Sequence, residues 1–189
     1  MSEEHVILVN EQNEPIGTAP KAEVHHASTP VHRAFSCFVF NSRGELLLQQ
    51  RALHKVTWPG IWSNSCCGHP LPDEIYEDAV HRRLDDELGM AGVELKLALP
   101  DYRYRAEMLG VVENEFCPVW VGFSDATPAP NPDEVAAVQY RPWTEFLAAV
   151  RADSDPFYQQ LSPWCKEETR LLAEGDPLSE FLRSHGLSS

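Results

Sequence analysis

The passage from Trp58 to Gly89 constrains this chain more than any other. Trp58-Pro59-Gly60-Ile61-Trp62 and the residues on to Pro72 hold too much proline and glycine for a regular helix. They read as a long shaped loop, a kind of connection that often carries function. Straight after it, over 74–88, Tyr76, Val80, Leu84 and Leu88 recur every fourth residue, and Ile75 and Ala79 widen the same face. That period is helical, and Gly89 supplies a C-terminal stop. The chain must therefore hold one irregular loop against the start of one amphipathic helix.

Around this unit the residues read as strands. Segments 5–10, 35–40 and 45–50 are short apolar runs, and Asn41-Ser42-Arg43-Gly44 between the last two predicts a β-hairpin. A polar loop with Lys21, His25, His26 and His32 joins the first run to the second. Further strands are expected at 93–97, 102–107, 111–123 and 135–143, a proline-rich loop at 127–132, and helices at 146–150, 157–173 and 178–185. No repeat, low-complexity tract or linker interrupts the pattern. The expectation is one α/β (α+β) domain over 1–189, with a core at about 31–150, an N-terminal strand and loop at 1–30 and C-terminal helices at 151–189.

Composition excludes several partners. With 29 acids against 15 Lys+Arg the formal net charge is −14 and the pI about 4.9. Nucleic acids and anionic membranes need a basic excess, so neither is an expected partner, and an anionic substrate would need a local basic pocket. Met1-Ser2-Glu3-Glu4-His5 lacks the character of a secretory leader, and no apolar run nears the ~20 residues that span a bilayer. Five cysteines, an odd number with no sign of an oxidising compartment, read as reduced thiols in a cytoplasmic protein. Cys66-Cys67 also lacks the C-x-x-C spacing of a zinc knuckle.

Several side chains invite chemistry. On the predicted helix Arg83 and Glu87 stand one turn apart on one face. A helical carboxylate can hold a hard divalent cation that bridges to a diphosphate, with arginine adding charge-assisted hydrogen bonds; a solvated ion pair explains the same spacing. Glu113 and Glu115 share one face of a predicted strand, where like charges repel unless a cation compensates them. Added to His25, His32 and His69, they make a donor set suited to zinc, manganese or a similar metal, although eight histidines allow accidental clusters. Cys67, just before Gly68-His69, is either a buried small hydrophobe or a thiol facing a pocket.

Gly68, Glu74 and Arg82-Arg83-Leu84-Asp85-Asp86-Glu87-Leu88-Gly89 resemble the Nudix box, but Arg83 stands where the box has glutamate and Asp86 replaces another. Only Glu87 remains of the usual metal-binding helix carboxylates, which undercuts a diphosphate hydrolase. Ser63-Asn64-Ser65-Cys66-Cys67-Gly68-His69-Pro70, Tyr104-Arg105 and Val112-Glu113-Asn114-Glu115 narrow the likeness to the type 1 isopentenyl diphosphate isomerase branch of that superfamily. The resemblance runs from about His5 through Ser162-Pro163-Trp164 and fades after about Leu172.

This resemblance implies a single Nudix-type domain with a mixed β-sheet sandwiched between helices. It implies a manganese or zinc site at His25, His32, His69, Glu113 and Glu115, with His26 left out, and a magnesium site at Glu87 and the Cys67 backbone carbonyl. It places Lys21, Arg51, Lys55 and Arg83 on the diphosphate of a small allylic or homoallylic substrate. Cys67 and Glu115 become the acid–base pair on opposite faces of the substrate, Tyr104 a hydrogen-bond partner of Glu115, and Trp164 a π face for a tertiary carbocation. Local sequence equally allows Trp164 as a core aromatic. A monomer or weak homodimer is expected. A Nudix-type hydrolase and a non-catalytic metal- or phosphate-binding domain are the competing readings: the depleted box weighs against the first, and Cys67 with Glu115 and Tyr104 against the second.

Overall fold

The computed structural model describes residues 4–152 and 156–188. Met1-Ser2-Glu3, part of the stretch read against a leader, lie outside the described residues, as do 153–155 and 189 of the C-terminal segment. Strand β4 (Phe35–Phe40) sets the architecture, because all six of its side chains are buried and both its faces must be covered. Phe35, Cys37 and Val39 pack with Ala79, Val80, Leu84 and Leu88 of α2 (Tyr76–Leu88). Phe38 and Phe40 meet α3 (Trp143–Ala152), α4 (Pro163–Glu174) and α5 (Asp176–Ser184) on the other side.

The sheet between these helices contains β5 (Glu45–Arg51), β8 (Glu94–Leu99), β11 (Val119–Phe123) and β12 (Val135–Pro142), in the order β12-β5-β4-β11-β8. Only β4 and β11 run parallel along that path, so it is the mixed sheet that the resemblance implies. Two short strands, β6 (Trp62–Ser63) on β5 and β7 (Cys66–Gly68) on β4, come from within the loop. A second sheet holds β1 (His5–Val9), β2 (Pro15–Pro20), β3 (His32–Arg33), β9 (Arg103–Met108) and β10 (Val111–Phe116), in the order β2-β1-β3-β10-β9. The chain crosses between sheets twice, from β3 through Ala34 into β4 and from β10 through Cys117-Pro118 into β11. Backbone bonds from Ala34 N–H to Phe116 O (2.9 Å) and from Ser36 N–H to Pro118 O (3.1 Å) tie the two crossings together.

Those crossings correct the predicted strand 111–123, which breaks at Pro118, a residue with no N–H to give a ladder. The hairpin over 35–50 is also looser than expected: β4 and β5 are paired only at Phe40 and Leu46, and β4 is paired with β7 at Phe35, Ser36 and Cys37. The expected helix 157–173 is a single 3-10 turn (Tyr158–Gln160) followed by α4. Pro163 opens α4, and the Ser162 hydroxyl accepts from Cys165 N–H. The polar loop after β1 contains β2 and α1 (Lys21–Val24). Helix α2 starts two residues late because Glu74 does other work, taking Leu71 N–H at 2.8 Å and both arms of Arg82 at 2.8 and 2.9 Å. It stops where expected: Gly89 has φ 61°, and its N–H reaches Asp85 O at 2.8 Å. Among the described residues no helix is long and apolar enough to cross a membrane.

Candidate active site

Strand register assembles the first half of the site. Parallel pairing sets His32 beside Glu115, and the β9–β10 register sets Tyr104 across from Glu115. His25 follows α1 and His69 follows β7. Ligating atoms of His25, His32, His69 and Glu115 all lie within 4.8 Å of one another. Glu115 Oε1 is 3.1 Å from His69 Nε2 and 3.5 Å from His32 Nε2, while Glu113 Oε2 is 3.0 Å from His25 Nε2. His32 Nδ1 must donate to Pro30 O, 3.0 Å away, because a carbonyl only accepts; its Nε2 is then free to ligate. His25 Nε2 and Glu113 Oε2 are buried without a formed hydrogen bond. Lone pairs converging in this way fit a divalent cation. Burial lowers the His69 pKa to about 4, which keeps the ring neutral as a ligand must be. Burial raises Glu113, and at Glu115 it is outweighed by hydrogen bonds with His32 and His69 that hold the carboxyl well below its usual range. His26 turns aside, its Nδ1 accepting from Ser28 N–H at 3.0 Å.

Strand alternation decides between the two thiols. Cys66 points into the core beneath α2, so its neighbour Cys67 faces the other way, into a cavity of about 530 Å³. Glu115, Tyr104 and Trp164 line the same cavity, so its walls come from both sheets and from α4. Trp164 is 4% exposed and meets both descriptions left open by sequence, packing in the core while lining the cavity. Its ring lies 5.3 Å from that of Tyr104. The expected bond between Tyr104 and Glu115 is not formed, and Glu115 Oε1 turns to the histidines instead. Burial, and then the charge of Glu168, push Cys67 up to about 12. Gly68 permits the close approach of α2, since a Cβ there would stand 3.0 Å from Arg83 Cγ and from Phe35 Cζ.

Lys21, Arg51, Lys55, Arg83 and Glu87 line the same cavity, which supplies the local basic pocket that an acidic chain needs. Most of these cations are already engaged with carboxylates: Lys21 with Glu4 at 2.7 Å, Lys55 with Glu134 at 2.6 Å, and Arg83 with Glu87 at 2.5 Å and Glu134 at 3.2 Å. Arg51 instead donates to Thr57 O and Oγ1. The second oxygen of Glu87 takes Gln49 Nε2 at 2.9 Å. Four cations thus face five carboxylates in the lining, and a diphosphate entering it requires added divalent charge.

Sequence reasoning missed four residues here. Glu4 and Glu134 were hidden among 29 acids. Arg82 donates to His69 O at 3.2 Å as well as to Glu74, pinning the histidine loop to α2; its place beside Arg83 was the only signal. Glu168 is fully buried on α4 with neither oxygen in a formed hydrogen bond, and burial raises its pKa to about 8. It sits one helical turn after Trp164, a spacing that could have flagged it.

The NUDIX domain family matches residues 30–165. An isopentenyl-diphosphate Delta-isomerase of Saccharopolyspora erythraea is 51% identical over 172 residues, covering 90% of this chain and 87% of that one. The protein of the same name from Mycolicibacterium vanbaalenii is 49% identical over 170 residues, covering 89% and 91%. A crystal structure from Deinococcus radiodurans is similar in fold, with TM-score 0.68 at 24% identity over 89% of this chain and 99% of that one. The MutT protein of Methanosarcina mazei follows at TM-score 0.60 and 17% identity, covering 77% and 94%. On the family match and on sequence identities near one half, the chain belongs to the Nudix superfamily, in its isopentenyl-diphosphate Delta-isomerase family.

Proposed function

We propose that the protein interconverts isopentenyl diphosphate and dimethylallyl diphosphate. The observation that carries this reading is the convergence of Cys67 from one sheet and Glu115 from the other on a single cavity with four cationic side chains. Moving an unactivated double bond needs a proton added at one carbon and another removed two carbons away. Lys21, Arg51, Lys55 and Arg83 grip the diphosphate, and the carboxylates engaged by Lys21, Lys55 and Arg83 give way to it. The five-carbon tail then lies between Cys67 and Glu115. One of these adds the proton, the other removes one, and their roles exchange in the reverse direction. Trp164 offers its π face to the tertiary cation, worth ~2 kcal/mol when desolvated, and with Tyr104 keeps water away from it.

The histidine cluster with Glu113 and Glu115 would hold a manganese or zinc ion, and Glu87 with the Cys67 carbonyl a magnesium ion. Bound there, these ions would supply the positive charge that the lining lacks. Hydrolysis is disfavoured because Arg83 both replaces a box carboxylate and engages Glu87. Five free thiols suit a cytoplasmic setting. Phosphorus spectra of the protein with isopentenyl diphosphate test the function: the diphosphate should stay attached while dimethylallyl diphosphate accumulates, and release of free phosphate or diphosphate would refute it.

A further inference from the structure

Glu134 lines the cavity at a point where an anion-binding site gains nothing from a negative charge. Its Oε2 lies 2.6 Å from Lys55 Nζ and 3.2 Å from Arg83 Nη2, so one carboxylate oxygen engages two of the cations that the proposed function places on the diphosphate. The backbone holds it there. Ala52 N–H donates to Glu134 O at 2.9 Å, and Ala52 O accepts from Lys55 N–H at 3.2 Å, so one residue braces both partners. Glu134 N–H reaches Asn131 O at 3.0 Å, and Asn131 N–H reaches Glu87 O at 2.9 Å, in the last turn of the helix that carries Arg83. A ligand can break the ion pairs of Glu134, yet the anchored backbone keeps its carboxylate within a side chain's length of the site.

We propose that Glu134 is a specificity-determining residue of the diphosphate site: it competes with incoming anions for Lys55 and Arg83, and so admits a diphosphate that brings a divalent cation while turning away metal-free phosphates. The charges support this. Two cations, Lys55 and Arg83, already meet two carboxylates, Glu87 and Glu134, which leaves no surplus positive charge for a bare anion. A metal-free phosphate must break both ion pairs of Glu134 and then lie beside the carboxylate it displaced. A diphosphate with its own magnesium ion carries less net negative charge, and that ion offsets the displaced carboxylate. Burial singles out Glu134 from the other engaged acid at the entrance. The side chains of Lys55 and Glu134 are each 25% exposed, against 36% and 49% for Lys21 and Glu4, whose pairing water and salt screen more.

The proposal rests on the diphosphate reading of this cavity, and calorimetric titration of the full chain with inorganic diphosphate, with and without magnesium, tests it. In magnesium-free buffer Glu134→Gln should bind diphosphate roughly 10-fold more tightly than wild type, and with magnesium the two should agree within about 3-fold. Glu4→Gln should move the magnesium-free affinity by about 3-fold at most. A Glu134→Gln protein that binds metal-free diphosphate no more tightly than wild type overturns the proposal, as does a gain equally large with magnesium or matched by Glu4→Gln. Should Glu134→Gln fail to fold, Glu134→Ala decides on the same expected gain. A wild type that binds diphosphate in neither buffer overturns the diphosphate reading of the cavity, whereas wild-type binding strengthened by magnesium, with Glu134→Gln unchanged, overturns this role alone.

Discussion

Replacing Glu168 by glutamine should make the protein more stable at neutral pH, and by an amount that grows with pH. Burial lifts this carboxyl from an ordinary 4.5 to about 8. A group whose folded pKa is raised contributes stability that is fully present below its unfolded pKa and is lost as pH rises through its folded pKa. Between pH 5 and 8 the folded wild type therefore holds close to one more proton than the unfolded chain. Each pH unit there costs ~1.4 kcal/mol, or about 4 kcal/mol across the window. Glutamine carries no such proton, and every other titrating group cancels in the difference between the two proteins. Urea unfolding of both at pH 5, 6, 7 and 8, with m-values compared, measures the gap. It should widen in favour of Glu168→Gln by several kcal/mol and level off above pH 8. Parallel stability curves would show that Glu168 ionises at an ordinary pH and would refute this reasoning.

Three further outcomes follow from the site. His25→Ala and His69→Ala should lose most bound manganese or zinc by metal analysis, and wild-type occupancy should fall as pH drops through the histidine range, since protonated imidazole cannot ligate; full metal content in both variants would contradict the assignment. Cys67→Ala should lower kcat by ~10²–10⁴-fold, while Cys66→Ala, beneath α2, should mainly lower the melting temperature; equal and mild effects on turnover would mark the pair as structural. Gly68→Ala should force Arg83 and Phe35 aside, with a visible drop in melting temperature and a raised KM; a wild-type profile would show that the close approach is not needed.

What was legible in the sequence was whatever local period or motif spacing encodes. Helix α2 and its Gly89 stop, the largely apolar β4 and the i, i+2 pair Glu113 and Glu115 could all be found because each depends on neighbours along the chain. The candidate site residues were singled out through motif resemblance, and most of them line one cavity, with His32 joining His25, His69 and Glu115 in a group that could hold a metal ion. What stayed hidden depends on long-range pairing. Nothing near Pro15–Pro20 announces a strand, because β2 is an exposed edge that among the described residues pairs with β1 alone. The second sheet was missed for the same reason: Pro118 is the one local sign that β10 and β11 belong to different sheets. Glu134 and Glu168 are ordinary acids by sequence, and only packing sets one against Lys55 and buries the other on α4.

The central claim is that Cys67 and Glu115 move protons on carbon while the diphosphate is left alone. Proton spectra of the protein with isopentenyl diphosphate in deuterated water test it most directly. Dimethylallyl diphosphate should appear carrying deuterium at carbon, because the added proton comes from side chains that exchange with solvent, and Cys67→Ala should abolish both the shift and the label. An unshifted alkene without carbon-bound deuterium, in a protein that binds the substrate, would contradict it.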